Sequence, residues 1–382
     1  MSDIRFQDDI DFLSKHTDVI LLDAGRPALV AVAPRLQGRV MTSTTGGSEG
    51  ASLGWINRKF LSAGQKNTAF DNYGGEDRFW LGPEGGQYAL WFAKGEPFDM
   101  AHWVTPAGFN AGSFDVTSQG NGSVAMASRF DVANFSGTKF QVAVRRVISV
   151  LTGEQVAEHL GISAAESVDW VAFQSSNTVA NVGPAAWSLR EGLVSVWILG
   201  QFNPLPRGLV IVPFQAGSEL GAMPNGAYFG PMGSDRFRFQ GGHVLFRCDG
   251  KYRSKLGVSA ARARNVLGSF DPQANLLTIV QYNLPGGAAA LPYVNSLWET
   301  QKEPFAGDVV NSYNDGEEKP GGGQLGPFYE IETSSPAAEL GVNQALTHVH
   351  RTFHFSGDFE QLNRIAQVVL GIDLRKVEFP KA

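Results

Sequence analysis

Cysteine, runs of like charge and long apolar stretches are scarce in this chain, and each scarcity excludes something. Cys248 is the only cysteine in 382 residues, so no disulfide forms within the chain, which suits a reducing compartment. Charged residues make up 18% of the chain and the net charge is −6, with no basic run. Nucleic acid and anionic membrane surfaces are therefore poor partners. No apolar run reaches the length needed to cross a bilayer as a helix. The first residues, MSDIRFQDDI, are polar and carry no hydrophobic signal region. The expected location is cytoplasmic, or periplasmic or secreted if a leader has been removed.

Glycine and aromatic residues are plentiful. Forty-five Gly, 26 Phe and a hydrophobic share of 43% describe many turns, many strands and a substantial core. Segments such as PALVAVAP, GRVMTSTT, TKFQVAVRRVISVL and RGLVIVPFQ are short, β-branched and bounded by Gly, Pro or Asp. Helical periodicity is confined to about residues 4–16, a short piece at 152–161 capped by Thr152, an excursion near 52–64, and 358–372 capped by Asp358. No fixed-period repeat occurs, which disfavours propellers and solenoids. The charged, glycine-rich stretch from Asp315 through Lys319 to Gly323 reads as a surface loop, not a linker. The expected class is all-β and mainly antiparallel, either one very large sandwich or two fused smaller β-domains.

Three stretches carry candidate chemistry. The densest is 328–355, read as two strands, Tyr329–Thr333 and Thr347–Thr352, paired in a hairpin. Residues two apart share a strand face, so Glu330 and Glu332 point the same way, as do His348 and His350. Two carboxylates and two imidazoles on one surface would move protons near neutral pH. Alternatively, His348, His350 and Glu332 would hold a divalent metal ion, as in open catalytic sites. The bland reading is a pair of buried ionic rungs, but burying four titratable groups is costly without a task.

The second stretch, Tyr73 to Glu84, combines a Gly pair with Glu76, Asp77, Arg78, Trp80 and Glu84, the mixture of planar polar groups and flat rings that binds sugars. A plain turn with Arg78 neutralised by its neighbours is the alternative. The third sets Lys251, Arg253 and Lys255 in alternation, to line a site or to guard an edge strand. Asn311 and His102 complete the substrate-binding candidates.

Several segments together resemble the galactose-mutarotase-like (aldose 1-epimerase-like) superfamily: PRLQGRVMTST, GGEDRFWLGPEGG, NGSVAMASRF with TKFQVAVRRVISV, SSNTVANVG, and the closing ETSSPAAEL with THVHRT. The resemblance spans most of the chain and implies one β-supersandwich domain over 1–382 with a few short helices and a sugar cleft on a concave face. It also implies a sugar-contacting Arg at Arg78 and a late general base at Glu330 or Glu332. The superfamily's mid-chain catalytic His has no counterpart here, since no His lies between His159 and His243. His348 and His350 would then supply the acid. The expected function is a carbohydrate-active enzyme of epimerase, lyase or hydrolase type. The alternatives are a metal-dependent cupin-like enzyme, from the HVH strand, and a non-catalytic carbohydrate-binding sandwich.

Overall fold

The computed structural model describes residues 4–23, 25–110, 112–162, 168–317 and 321–380. Part of the charged loop read at 315–323 thus lies outside the described residues. Eighteen strands and five short helices are formed among those described. The strands are β1 (Ile20–Asp23), β2 (Leu29–Ala33), β3 (Arg39–Thr44), β4 (Arg78–Gly82), β5 (Asp115–Gly120), β6 (Ser123–Ala133), β7 (Lys139–Val150), β8 (Val168–Asn181) and β9 (Ser195–Phe202). They continue with β10 (Leu209–Pro213), β11 (Phe237–Gln240), β12 (His243–Arg247), β13 (Ser254–Ser259), β14 (Val266–Asp271), β15 (Leu276–Tyr282), β16 (Asp308–Asn314), β17 (Tyr329–Ser334) and β18 (Ala345–Gly357). The helices are α1 (Phe6–Leu13), α2 (Arg58–Ala63), α3 (Ala107–Asn110), α4 (Gly153–Leu160) and α5 (Phe359–Val369).

Alternation decides which face of each strand is buried. Along β7, Phe140, Val142, Val144, Arg146 and Ile148 are buried, while Lys139, Gln141 and Arg145 between them are exposed. All pairings between these strands are antiparallel. One sheet has ten strands in the order β11-β12-β10-β14-β15-β18-β8-β7-β6-β5, and a second has five in the order β13-β16-β17-β9-β4. The smaller sheet lies on the larger. Phe79, Ile198 and Ile331 on its inner face share a core with Val142, Phe173 and Val280 of the large sheet. The far face of the large sheet is covered over part of its width by α4 and α5, with Val156, Leu362 and Ile365 packed on Ile279, Phe353 and Phe355. This is an antiparallel β-supersandwich, the fold that the resemblance implies.

The α5 helix is held at its start by Asp358, whose Oδ1 accepts from the backbone N–H groups of Glu360 at 3.0 Å and Gln361 at 3.3 Å. Asp358→Ala is expected to cost about 1 kcal/mol in a urea titration.

The hairpin expected between 329 and 352 does not form. β17 pairs with β16 and β9 in the small sheet, whereas β18 pairs with β15 and β8 in the large one. The connecting residues explain the difference. Ser335 and Ala338 donate to the carbonyls of Val196 and Val194 at 2.9 and 2.7 Å, so the chain runs on beside the β9 segment instead of turning back. It then enters the other layer as β18.

Candidate functional site

The small sheet buries one face against the large sheet and turns the other toward a set of loops. Register aligns the residues of that second face. Gly257, Asn311, Glu332, Leu199 and Arg78 lie in one row across β13, β16, β17, β9 and β4. Lys255, Tyr313, Glu330 and Gln201 lie in the next. The loops add aromatic walls, notably Trp103 and Trp298, and a third carboxylate, Glu84. Together they enclose a cavity of about 80 Å³ whose lining includes Arg78, Glu84, Arg253, Lys255, Glu330 and Glu332.

Three carboxylates and three cations thus meet in one hollow. Arg78 Nη2 pairs with Glu330 Oε1. Lys255 Nζ lies 3.5 Å from Glu332 Oε2, which also accepts from Trp197 Nε1 at 2.9 Å. Trp103 Nε1 donates to Glu84 Oε1 at 2.8 Å. The cations also sit over rings: Arg78 over Trp80 at 4.4 Å, Lys255 over Trp197 at 4.7 Å and Arg253 over Phe229 at 4.1 Å.

Burial governs the protonation equilibria. It pushes Glu84 up, against the pull of Lys255 and the Trp103 N–H. It pushes Glu330 up as well, with Arg78 opposing and Glu332 adding to the rise. Burial alone would depress the Lys255 ammonium, but Glu332, Glu84 and Glu330 outweigh it and the net shift is upward.

Several buried polar atoms of these lining residues find no protein partner among the described residues: Glu332 Oε1, Arg78 Nε and Nη1, Gln201 Oε1 and Trp80 Nε1. Buried polar groups are almost always satisfied, so a cluster of unpaired ones along one cavity is a mark of a site that takes a polar ligand.

Arg78→Met would leave the Glu330 carboxylate buried without its counter-charge. The expected loss is about 3–5 kcal/mol of stability, read by chemical denaturation.

The structure separates the imidazoles from the carboxylates. Thr333 follows Glu332 and so faces the opposite way, into the space between the sheets. There its Oγ1 lies 2.8 Å from both His348 Nε2 and His350 Nδ1. A hydroxyl has one proton, so it donates to one ring and accepts from the other, which fixes the two tautomers relative to each other. His348 and His350 therefore line the inter-sheet layer and share no surface with Glu330 and Glu332. The metal set His348, His350 and Glu332 fails for the same reason. Among the described residues no group of three His, Cys, Asp or Glu side chains is placed to hold a metal ion.

Other expectations are corrected as well, and alternation accounts for the first of them. Asp77 precedes Arg78 and points inward, paired with Arg146 and accepting from Ser175 Oγ at 2.7 Å. Glu76 is buried away from the cavity, accepting from Ser43 Oγ and facing His354 Nε2, both at 2.9 Å. His102 sits on the surface beside Asp99 and Glu96. Lys251 is exposed in the turn before β13, outside the cavity. Asn311 lines a smaller hollow behind Lys255, shared with Tyr228 and Asp308. Of the substrate-binding candidates, the cavity gathers Arg78, Trp80, Glu84 and Arg253. Sequence reasoning missed Trp103, Trp197 and Gln201. The alternation Trp197, Leu199, Gln201 was the available signal, hidden in a strand buried throughout.

Comparison with solved structures supports the fold. An aldose 1-epimerase candidate from Escherichia coli K12 aligns with TM-score 0.50 and 10% identity, covering 88% of this chain and 98% of its own. A protein from Synechocystis sp. PCC 6803 aligns with TM-score 0.50 and 12% identity, covering 90% and 96%. No curated protein matches the sequence. A family model does match, over residues 4–380, and the chain belongs to that family, DUF6786, described as a family of unknown function.

Proposed function

We propose that the cavity on the small sheet binds a monosaccharide unit and transfers protons on it with carboxylates alone, as an aldose isomerase of the epimerase kind. The observation that carries this is Glu332: a buried carboxylate in an aromatic-walled cavity, with Oε2 held by Trp197 and Lys255 and Oε1 unpaired. In this reading Glu332 is the general base, with Lys255 Nζ 3.5 Å from its Oε2. Glu84, held toward its neutral form by burial, is the general acid. Glu332 takes the proton of the anomeric hydroxyl as the bond from the anomeric carbon to the ring oxygen breaks. Glu84 gives its proton to the ring oxygen. The open-chain aldehyde turns its carbonyl and closes by the reverse transfers, which restore both carboxyl groups. The unpaired Arg78 N–H groups and the Trp80 N–H would donate to sugar hydroxyls, and the indole rings would stack on C–H faces.

The test combines two measurements on a panel of aldoses. Tryptophan fluorescence reports binding, since Trp80, Trp103, Trp197 and Trp298 line the cavity. Saturation-transfer NMR reports exchange between anomers. A member that binds and exchanges faster than in buffer is the expected result. Binding without exchange would make the protein a sugar-binding module, and neither effect across the panel would end the carbohydrate reading.

A further inference from the structure

The side-chain amide of Gln201 is held in one orientation. The backbone carbonyl of Leu325 can only accept, so the end of the Asn72 amide that meets it at 3.2 Å is Nδ2. Asn72 Oδ1 is then the end turned to Gln201, and it accepts from Gln201 Nε2 at 3.2 Å. Both amides are buried, and of the two Gln201 is the one that lines the cavity. The end of Gln201 left for the cavity is therefore Oε1, which has no protein partner among the described residues. Register sets donors beside it. Gln201 lies opposite Glu330 and two residues along β9 from Leu199, which lies opposite both Arg78 and Glu332. Because β4 and β17 flank β9, the Arg78–Glu330 ion pair spans β9 close to Gln201. That pair uses Arg78 Nη2 and leaves Nε and Nη1 unpaired. A held acceptor thus stands beside held donors, and a hydroxyl serves both, since its oxygen accepts while its proton donates.

Resting on the proposed sugar site, we infer that Gln201 is a specificity-determining residue: its Oε1 accepts from one ring hydroxyl of the aldose, at C3 or C4, and the oxygen of that hydroxyl accepts from Arg78. Distance from the base selects those positions. Gln201 is diagonal to Glu332 on the neighbouring strand, about 7–8 Å away between Cα atoms. With the anomeric hydroxyl at Glu332, the C2 hydroxyl is its immediate neighbour, and the hydroxyls across the ring are the ones that reach Gln201. The anomeric hydroxyl stays free for proton transfer. The substrates are then free aldoses whose oxygen at that position keeps its proton. An aldose lacking that proton is rejected, because it desolvates a buried acceptor without giving it a donor.

Tryptophan-fluorescence titration of the full chain tests this with D-glucose, D-galactose and the 3- and 4-deoxyfluoro derivatives of each, since fluorine fills the place of the hydroxyl but cannot donate. The expected result is that either the 3-fluoro or the 4-fluoro sugar binds about 10–100-fold more weakly than its parent. Gln201→Met, which removes the acceptor, should weaken the parent and bring that ratio toward one. Gln201→Glu, which keeps an acceptor oxygen, should retain most of it. Such a cycle isolates the contact from any general loosening of the cavity, because only a direct partner of the hydroxyl removes the dependence on it. If wild-type protein binds a parent sugar and both of its fluoro derivatives alike, Gln201 has no such role although the sugar reading stands, and this outcome needs no variant to fold. A ratio that survives Gln201→Met assigns the hydroxyl to another acceptor and overturns the inference. Failure of every sugar to bind overturns it together with the sugar reading.

Discussion

Glu332→Gln is expected to lower the rate of anomer exchange by about 10²–10⁴-fold, the range over which a positioned general base contributes, while changing sugar affinity far less. The substitution keeps the shape of the side chain and an oxygen to accept from Trp197 Nε1, but it removes the basic lone pair at Oε1. Lys255 loses its nearest counter-charge yet keeps Glu84 and Glu330 around it, so the fold should survive with a modest loss of stability. The contrast with the histidines makes the test specific. His350 sits on the far side of β17 and touches Thr333, not the cavity. His350→Asn should therefore leave exchange within about twofold of wild type. A Glu332→Gln protein retaining more than a tenth of the wild-type rate would remove Glu332 from the role of base. A loss of rate in the His350 variant matching that of Glu332→Gln would move the chemistry into the inter-sheet layer.

How far the sequence reveals this arrangement depends on which link of the chain is asked about. Within a strand, alternation is reliable. Glu330 and Glu332 do share a face, and so do His348 and His350. The same rule shows that Asp77 and Arg78, being adjacent, cannot both reach one cavity. Between strands the rule is silent. Whether the face of Glu332 is also the face of His350 depends on which sheet each strand joins, and that is decided by residues 335–338, whose backbone follows the β9 segment. Nothing in the apolar pattern of ETSSPAAEL marks that path. The large antiparallel fold was readable because so many short alternating strands have few other solutions. The cavity was half readable. Arg78, Trp80 and Glu84 stand in a conspicuous polar-aromatic stretch, whereas Trp197 and Gln201 lie in a strand buried on both faces, where only register shows that one face is a site.

The inter-sheet histidines carry the second large effect, on stability. Burial drives His348 down to about 3, with His350 adding to the fall. It drives His350 down to about 4, with Asp77 resisting and Arg146 and Arg351 assisting. In the unfolded chain both titrate near 6.5. Each is thus neutral in the folded protein over a range in which the unfolded chain is protonated. The stability that this neutrality supports is fully present above about pH 6.5 and is lost as pH falls toward the folded values, because the unfolded state binds two more protons. Two protons correspond to a slope of about 2.7 kcal/mol per pH unit, or roughly 5 kcal/mol between pH 6.5 and 4.5. Glu84, Glu330 and Asp308 act with the opposite sign, since burial raises each of them and the folded state holds their protons longer than the unfolded chain does. The histidine contribution must therefore be isolated as a difference. His348→Gln with His350→Asn keeps a nitrogen near each position that meets Thr333 Oγ1 and removes both titrations. Urea unfolding from pH 7 to 4.5 should give a double variant less stable than wild type at pH 7, with the gap closing or reversing as pH falls. Parallel profiles would mean that the two imidazoles are protonated as readily in the folded protein as in the unfolded chain, and that the layer between the sheets is open to water.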